Sequence, residues 1–372
     1  TAVMFLAWIV FAFQMKIKFD ALRRLAPEYR LDQIPRRIGL LFKTGIGQEK
    51  LIGRTRERFA GIMHALIFWG ALLIGVREFS LMGEGFFIGF QEMLPFLGSD
   101  RLTGYLYILV YNIGEVAVLL MVLIALYRRM VHKPARLDLN WEGEYVLLFI
   151  GGIMLTDLLF DAARFNLIEI WGHSLHWFEH PVYGRESEWA PFASSLAYLI
   201  SGFGENTNAF FYHFGYWGHV IVMPTFVNVL VNTKQFHEIT ALPNVFLGSL
   251  DYPHARTRIT DLEDEKAWEE GRIGINRLEQ LSWKQGLDLY SCTECGRCHD
   301  VCPTYVTGKP LTLKRFNQSL LKHLREEEGN LSRTGETSGW KNLVGDVIHP
   351  DTLWACTTCR ACEEVCPVSI EH

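Results

Sequence analysis

Residues 1–19, 58–78, 103–127, 144–163 and 206–233 are each a nearly unbroken run of apolar side chains, and no other feature restricts the fold so severely. About twenty apolar residues in helical form span the hydrocarbon of a bilayer. Lipid offers no partner to a peptide group, so runs of this kind close their backbone hydrogen bonds internally, as helices. Trp and Tyr near the run ends suit the headgroup level. Buried helices of a large soluble protein are the rival reading, and five such runs in 372 residues leave it little room. The fold class expected is therefore all-α, with a five-helix transmembrane bundle at residues 1–237. The overall 49 % hydrophobic and 21 % charged content averages two unlike parts, because the chain turns polar after about residue 235. Net charge is −5 with no basic block, which gives no reason to expect a nucleic-acid partner.

Basic residues set the orientation. Lys16, Lys18, Arg23, Arg24, Arg36, Arg37, Lys43, Lys50, Arg54, Arg56 and Arg58 fall between the first two runs, and Arg128, Arg129, Lys133 and Arg136 between the third and fourth. The other connections carry Glu78, Glu84, Glu92 and Asp100, then Glu169, Glu179, Glu186 and Glu188. The positive-inside rule puts the N-terminus outside and everything after residue 234 in the cytoplasm of a bacterial or archaeal cell. Residues 80–98 are amphipathic and too short to cross, which suits the interface plane. Residues 165–205 carry Trp171, Trp177, Trp189, His173, His176 and His180, an aromatic cap on the outer side.

Polar groups at membrane depth are costly and need a reason. His219 and His237 are 18 residues apart. On one continuous helix that is five turns, so both would share a face about 27 Å apart along the axis. His213 would face elsewhere. His64, near the inner end of the second run, is at the depth expected for His237, and a b-type haem needs such a pair on facing helices. The plainer reading is that these histidines bond to carbonyls or sit at the interface. Asn112, Glu115, Asp157 and Asp161 are also intramembrane, with Asp157 and Asp161 one turn apart. They suit proton exchange with a quinone, or a structural ion pair with Arg77 or Arg164.

All eight cysteines lie after residue 290. Cys292, Cys295, Cys298 and Cys302 before Pro303 form a C-x2-C-x2-C-x3-C-P run, and Cys356, Cys359, Cys362 and Cys366 before Pro367 repeat it 64 residues later. Cys295-Gly-Arg-Cys298-His299 also fits the covalent c-haem pattern. That attachment occurs outside the cell and leaves the flanking cysteines and the second run unexplained. Soft thiolates at this spacing hold 4Fe-4S clusters, with the fourth cysteine of each run reaching across to the other cluster. Cluster 1 would use Cys292, Cys295, Cys298 and Cys366, and cluster 2 Cys356, Cys359, Cys362 and Cys302. Residues 238–279 read as a connector in which Pro243 and Pro253 break any long helix, and 280–372 as the two-cluster domain. Within it, helices are expected at Leu278 to Leu289 and Thr312 to Arg325, and a polar loop at Glu326 to Gly339.

The membrane part resembles the cytochrome b gamma subunit of respiratory nitrate reductase. The likeness rests on His219-Val-Ile-Val-Met-Pro through Lys-Gln-Phe-His237 and on Gly61-Ile-Met-His64-Ala-Leu-Ile. It implies that His64 and His237 hold a haem b on the inner side. That family has a second histidine ten residues after the first, where this chain has Ile74. An outer haem on His219 is then absent or uses another partner such as His176, or His219 contacts a quinone. Residues 280–372 resemble the helical two-cluster domain shared by the heterodisulfide reductase C-type ferredoxin component and the succinate dehydrogenase iron–sulfur component, a fold that normally continues past the last cysteine run. The fusion of the two parts resembles membrane-bound electron-transfer-flavoprotein:menaquinone oxidoreductases, and more distantly the membrane components of sulfite-reduction complexes. It implies a quinone-linked oxidoreductase in which an electron transfer flavoprotein supplies electrons to the clusters, and haem b passes them to menaquinone. A quinol-oxidising role in a heterodisulfide-reductase-like or sulfur-metabolism complex is the alternative, and a haemless membrane anchor is the alternative of another class.

Overall fold

A computed structural model of the chain describes residues 2–53, 57–86, 90, 94, 101–171, 185–250, 263, 265–269, 274–339 and 341–372. His173, His176, His180, Trp177, Pro253 and most of the 80–98 segment lie outside them. The described residues are mostly helical, with isolated β-bridges but no β-strand. The helices that position the functional residues are α1 (Ala2–Arg24), α2 (Arg58–Phe86), α3 (Leu102–Tyr127), α4 (Trp141–Trp171), α5 (Pro191–Ser201), α6 (Gly204–Val231), α7 (His237–Phe246), α8 (Trp283–Ser291), α9 (Arg297–Val301), α10 (Leu313–Thr334) and α11 (Ala361–Val365).

Four helices are long and apolar enough to cross a membrane, at Arg58–Ser80, Leu102–His132, Trp141–Ile170 and Gly204–Val231. The expected first span lies on α1, outside that group of four. The chain divides into two compact units: residues 1–55, 134–138 and 227–372 form one, and residues 56–133 and 139–226 the other.

In the second unit, Leu72, Val76, Leu106, Val110, Leu120, Leu123, Leu148 and Leu155 face outward while Asn112, Glu115, Asp157 and Asp161 are buried. Apolar outside and ionisable inside is the reverse of a water-soluble bundle, and lipid is the solvent that favours it. Small residues let the helices meet closely. A Cβ on Gly70 would collide with Cγ2 of Val118, where α2 meets α3, and one on Gly215 would sit 2.8 Å from the backbone nitrogen of Phe160, where α6 meets α4. Ile74, Val118, Val122, Ile153 and Met154 form the core between them.

The first unit gathers the cysteine-bearing helices around α10, whose Leu320, Leu324, Glu327 and Leu331 are buried along one stripe. This stripe explains a difference from the expected loop at Glu326 to Gly339. The helix runs on to Thr334 because the apolar spacing continues through the charged Glu326-Glu327-Glu328 segment, and Gly335 at φ +82° then closes it. Leu278 to Leu289 also divides differently: a 3₁₀ turn at Leu278–Gln280 precedes α8, where Ser282 and Gln285 form a reciprocal capping box.

Two expectations about the histidine-bearing segment are corrected. His219 and His237 are not on one helix. α6 stops at Val231, Thr233 is extended and its hydroxyl accepts from the Gln235 amide, and His237 opens α7. Asn and Thr side chains compete for backbone groups and favour this kind of cap, so the five-turn register does not carry across. Pro243, expected as a breaker, lies inside α7, which ends three residues later at Phe246.

Candidate metal centre

The two cysteine runs fold alike, residue for residue. Glu294 and Thr358 have φ +54° and +52°, and Gly296 and Arg360 have φ +74° and +56°. Each pair of left-handed residues curls the C-x2-C-x2-C segment, and a five-residue helix follows, α9 in the first run and α11 in the second. Cys302 and Cys366 then return to extended backbone, each fixed by the proline behind it. A Cβ on Gly296 would lie 2.9 Å from the Arg136 carbonyl oxygen, so glycine is required there twice over.

This backbone walls one small cavity with Cys292, Cys295 and Cys298 of the first run and Cys362 and Cys366 of the second. Cys302, in turn, packs with Cys298, Cys362, Leu311, Leu313 and Ala355. Cysteines of both runs thus lie close together, Cys366 beside the first run and Cys302 beside Cys362 of the second. Amide hydrogens point at sulfur: Thr358 N–H to Cys356 Sγ at 3.4 Å, Ile370 N–H to Cys366 Sγ at 3.4 Å, and a longer approach of Asn317 Nδ2 to Cys292 Sγ at 3.8 Å. Burial pushes the Cys292 thiol up to about 12 and Cys366 up to about 11. Thiolate donors gathered around one cavity need cations to offset their charge, and sulfur ligands of this kind suit iron in a 4Fe-4S cluster.

His299, the residue behind the c-haem pattern, is buried and stacked on Tyr305 at 4.3 Å, and its Nε2 accepts from the Lys314 amide at 3.3 Å. It braces α9 against the start of α10. In the same unit, His237 donates from Nδ1 to the Lys234 carbonyl at 2.8 Å. That bond puts the ring proton on Nδ1 and the lone pair on Nε2, the tautomer a metal-ligating histidine needs. His64, its expected partner, is an exposed residue of α2.

The second unit holds a buried charge network that the sequence indicated only in part. Arg77 donates from Nε and Nη2 to Asp157 at 2.8 and 3.0 Å, from Nη2 to Asp161 at 2.9 Å, and from Nη1 to the Tyr111 hydroxyl at 2.8 Å. Arg164 bridges Asp161 at 3.1 Å and Glu186 at 2.6 Å. Both ion pairs weighed for Asp157 and Asp161 are thus present together. Glu115 is 1 % exposed, and Asn112 donates to its Oε2 at 3.1 Å. His219 faces Glu78 Oε1 from Nε2 at 2.9 Å and Thr156 Oγ1 from Nδ1 at 3.3 Å. Sequence reasoning missed the roles of Glu78, Tyr111 and Glu186. Glu78 was read as an outer-loop charge, although it directly follows Arg77 at the end of an apolar run. Ile74, at the position of the absent histidine, is packed in the core at 3 % exposure.

Residues 288–370 match the family described as 4Fe-4S dicluster domain. Over 98 % of its length the chain is 30 % identical to the probable iron-sulfur-binding oxidoreductase FadF of Bacillus subtilis, covering 53 % of that protein. Over 92 % of its length it is 26 % identical to the EtfAB:quinone oxidoreductase of Syntrophomonas wolfei, covering 48 % of it. Its cysteine-rich part, 23 % of the chain, is 31 % identical to 40 % of the C-type component of the ferredoxin:CoB-CoM heterodisulfide reductase of Methanosarcina mazei. The chain spans about half the length of the curated relatives that it matches from end to end. No solved structure matches it.

Proposed function

We propose that this chain is the electron-conducting part of a membrane oxidoreductase, joining a soluble electron donor to the quinone pool through two 4Fe-4S clusters and one haem b. The observation that carries this reading is the cavity lined by Cys292, Cys295, Cys298, Cys362 and Cys366, joined in one chain to helices built for lipid. Cys356, Cys359, Cys362 and Cys302 hold the second cluster. Such clusters supply one-electron transfer at nearly fixed geometry. The chain's part is to hold the thiols at cluster spacing, with Cys292 and Cys302 buried, and to aim amide hydrogens at sulfur.

In this reading residues 1–19 form a fifth span, the N-terminus is outside and the cluster domain is cytoplasmic. His64 and His237 hold the haem, with His237 already in the required tautomer. We propose one haem rather than two, because His219 faces Glu78 and Thr156 and Ile74 stands at the position of that family's second histidine. Glu115, Asp157 and Asp161 serve proton exchange with quinone, which takes up two protons for every two electrons. The relative called EtfAB:quinone oxidoreductase favours an electron transfer flavoprotein as donor and a quinone, menaquinone in our reading, as acceptor. The heterodisulfide reductase relative matches the cluster domain alone, so a quinol-oxidising role in such a complex comes second.

The test is anaerobic mixing of the purified full-length protein with reduced electron transfer flavoprotein while the optical spectrum is followed. Reduction of clusters and haem, with reoxidation on adding a menaquinone analogue, is expected. Failure of the flavoprotein to reduce the clusters, when a menaquinol analogue does reduce the haem, would favour the quinol-oxidising reading.

A further inference from the structure

We propose that Lys50 raises the reduction potential of the 4Fe-4S cluster to which Cys366 contributes its thiolate. This deepens the reading above and rests on its cluster assignment, and on no other part of it.

In the sequence Lys50 is one of the basic residues between the first two apolar runs, where it counts toward orientation alone. The fold gives it a second place. It lies in a helical turn, Glu49–Ile52, within the same compact unit as both cysteine runs. Its main-chain carbonyl accepts from Arg297 Nη1 at 2.9 Å. Arg297, the residue before Cys298, is 7 % exposed and lines the cysteine cavity. The Lys50 ammonium donates to the Cys366 carbonyl at 3.1 Å and to the Glu363 carbonyl at 3.4 Å, at the end of α11. One residue is thus tied to the first run through its backbone and to the second through its side chain.

Carboxylates near Lys50 are directed at other groups. Glu49 pairs with Lys43 at 3.3 Å, and Glu363 pairs with Arg360 at 3.6 Å and accepts from the His372 amide at 2.9 Å. Glu364 is exposed. Lys50 itself reaches two neutral carbonyls, so its positive charge is set beside Cys366 without a carboxylate hydrogen-bonded to it. Lys314 lines the same cavity, but its ammonium faces Asp138 at 2.8 Å, and that pair is close to neutral. Lys50 is half-buried, and a half-buried charge is screened less than one in open water. Reducing a 4Fe-4S cluster adds one electron, makes no bond and takes up no proton. The change that a fixed neighbouring charge feels is therefore one more negative charge. A cation beside a ligating residue favours that product, and net charge is among the factors that set these potentials.

The test is an anaerobic redox titration, followed by electron paramagnetic resonance, of the full chain purified in detergent. Wild type is compared with Lys50→Gln, Lys50→Met, Lys50→Arg and Lys43→Gln. Lys43 is 67 % exposed and serves as the control for losing a charge from the same segment. Lys50→Gln keeps a donor for the two carbonyls and removes the charge. In it the midpoint of one cluster signal is expected to fall, so that the ratio of reduced to oxidised cluster at a fixed ambient potential drops about tenfold, or about 59 mV for one electron. Lys50→Arg and Lys43→Gln should titrate with wild type. The proposal is overturned if both midpoints of Lys50→Gln stay at wild-type values, or if Lys50→Arg falls as far, since shape and not charge would then be responsible. Loss of a cluster signal in both Lys50→Gln and Lys50→Met also overturns it, because the residue would then hold the fold and not tune the potential. A wild-type protein lacking 4Fe-4S signals refutes the cluster assignment itself, a result seen before any Lys50 variant is made.

Discussion

Gly296 and Arg360 occupy the same place in two copies of one motif, yet only the first is glycine. Both are left-handed, which costs a side chain about 1 kcal/mol, but Gly296 also faces the Arg136 carbonyl where a Cβ would come within 2.9 Å. Gly296→Ala is therefore expected to lower stability by roughly 2 kcal/mol and to reduce iron bound in the first cavity, whereas Arg360→Gly should stay within about 1 kcal/mol of wild type. Unfolding curves and iron content per chain check both. Asp288 offers a pH test. Burial pushes its carboxyl up to about 6, against the pull of Lys284 at 2.8 Å. A carboxyl raised on folding binds its proton more tightly in the native state. Its contribution to stability is complete below about pH 4 and is lost as pH rises through about 6. Relative to Asp288→Asn, wild type should thus lose on the order of 2 kcal/mol between pH 4 and 6.5. A stability difference that does not change with pH would show that Asp288 does not titrate there.

At the scale of elements, long runs were legible and junctions were not. The second to fifth apolar runs correspond to the four helices fit to cross a membrane, because a lipid span needs little beyond twenty apolar residues. The end of α10 was missed because three consecutive glutamates look like a loop, although Glu327 and Leu331 still fall on the buried stripe. The break after Val231 was missed because Asn232 and Thr233 act through capping, which helical periodicity does not reveal. Glycine spacing carried more than was read from it. Gly215→Val should drive α6 away from the α4 backbone, since even a Cβ would sit 2.8 Å from Phe160 N. The expected cost is about 3 kcal/mol or more, seen as loss of monodisperse protein in detergent, while Gly75→Ala, which meets nothing within 4 Å, should be nearly silent.

For the whole molecule, the cysteine arithmetic exposed the iron–sulfur part almost completely, because eight thiols at a fixed repeat leave few other chemistries. The buried charge network was only half legible. Asp157, Asp161 and Arg77 stood out as polar residues in apolar runs, but the links from His219 to Glu78 and from Arg164 to Glu186 depend on how separate helices pack. In the proposed function, haem b joins the clusters to the membrane. The most direct measurement is the reduced-minus-oxidised optical spectrum of the purified protein alongside His64→Ala and His237→Ala. A b-type absorption in wild type, lost in both variants while the broad iron–sulfur bleaching remains, is the predicted result. A wild-type spectrum showing iron–sulfur bleaching and no b-type band would contradict the account.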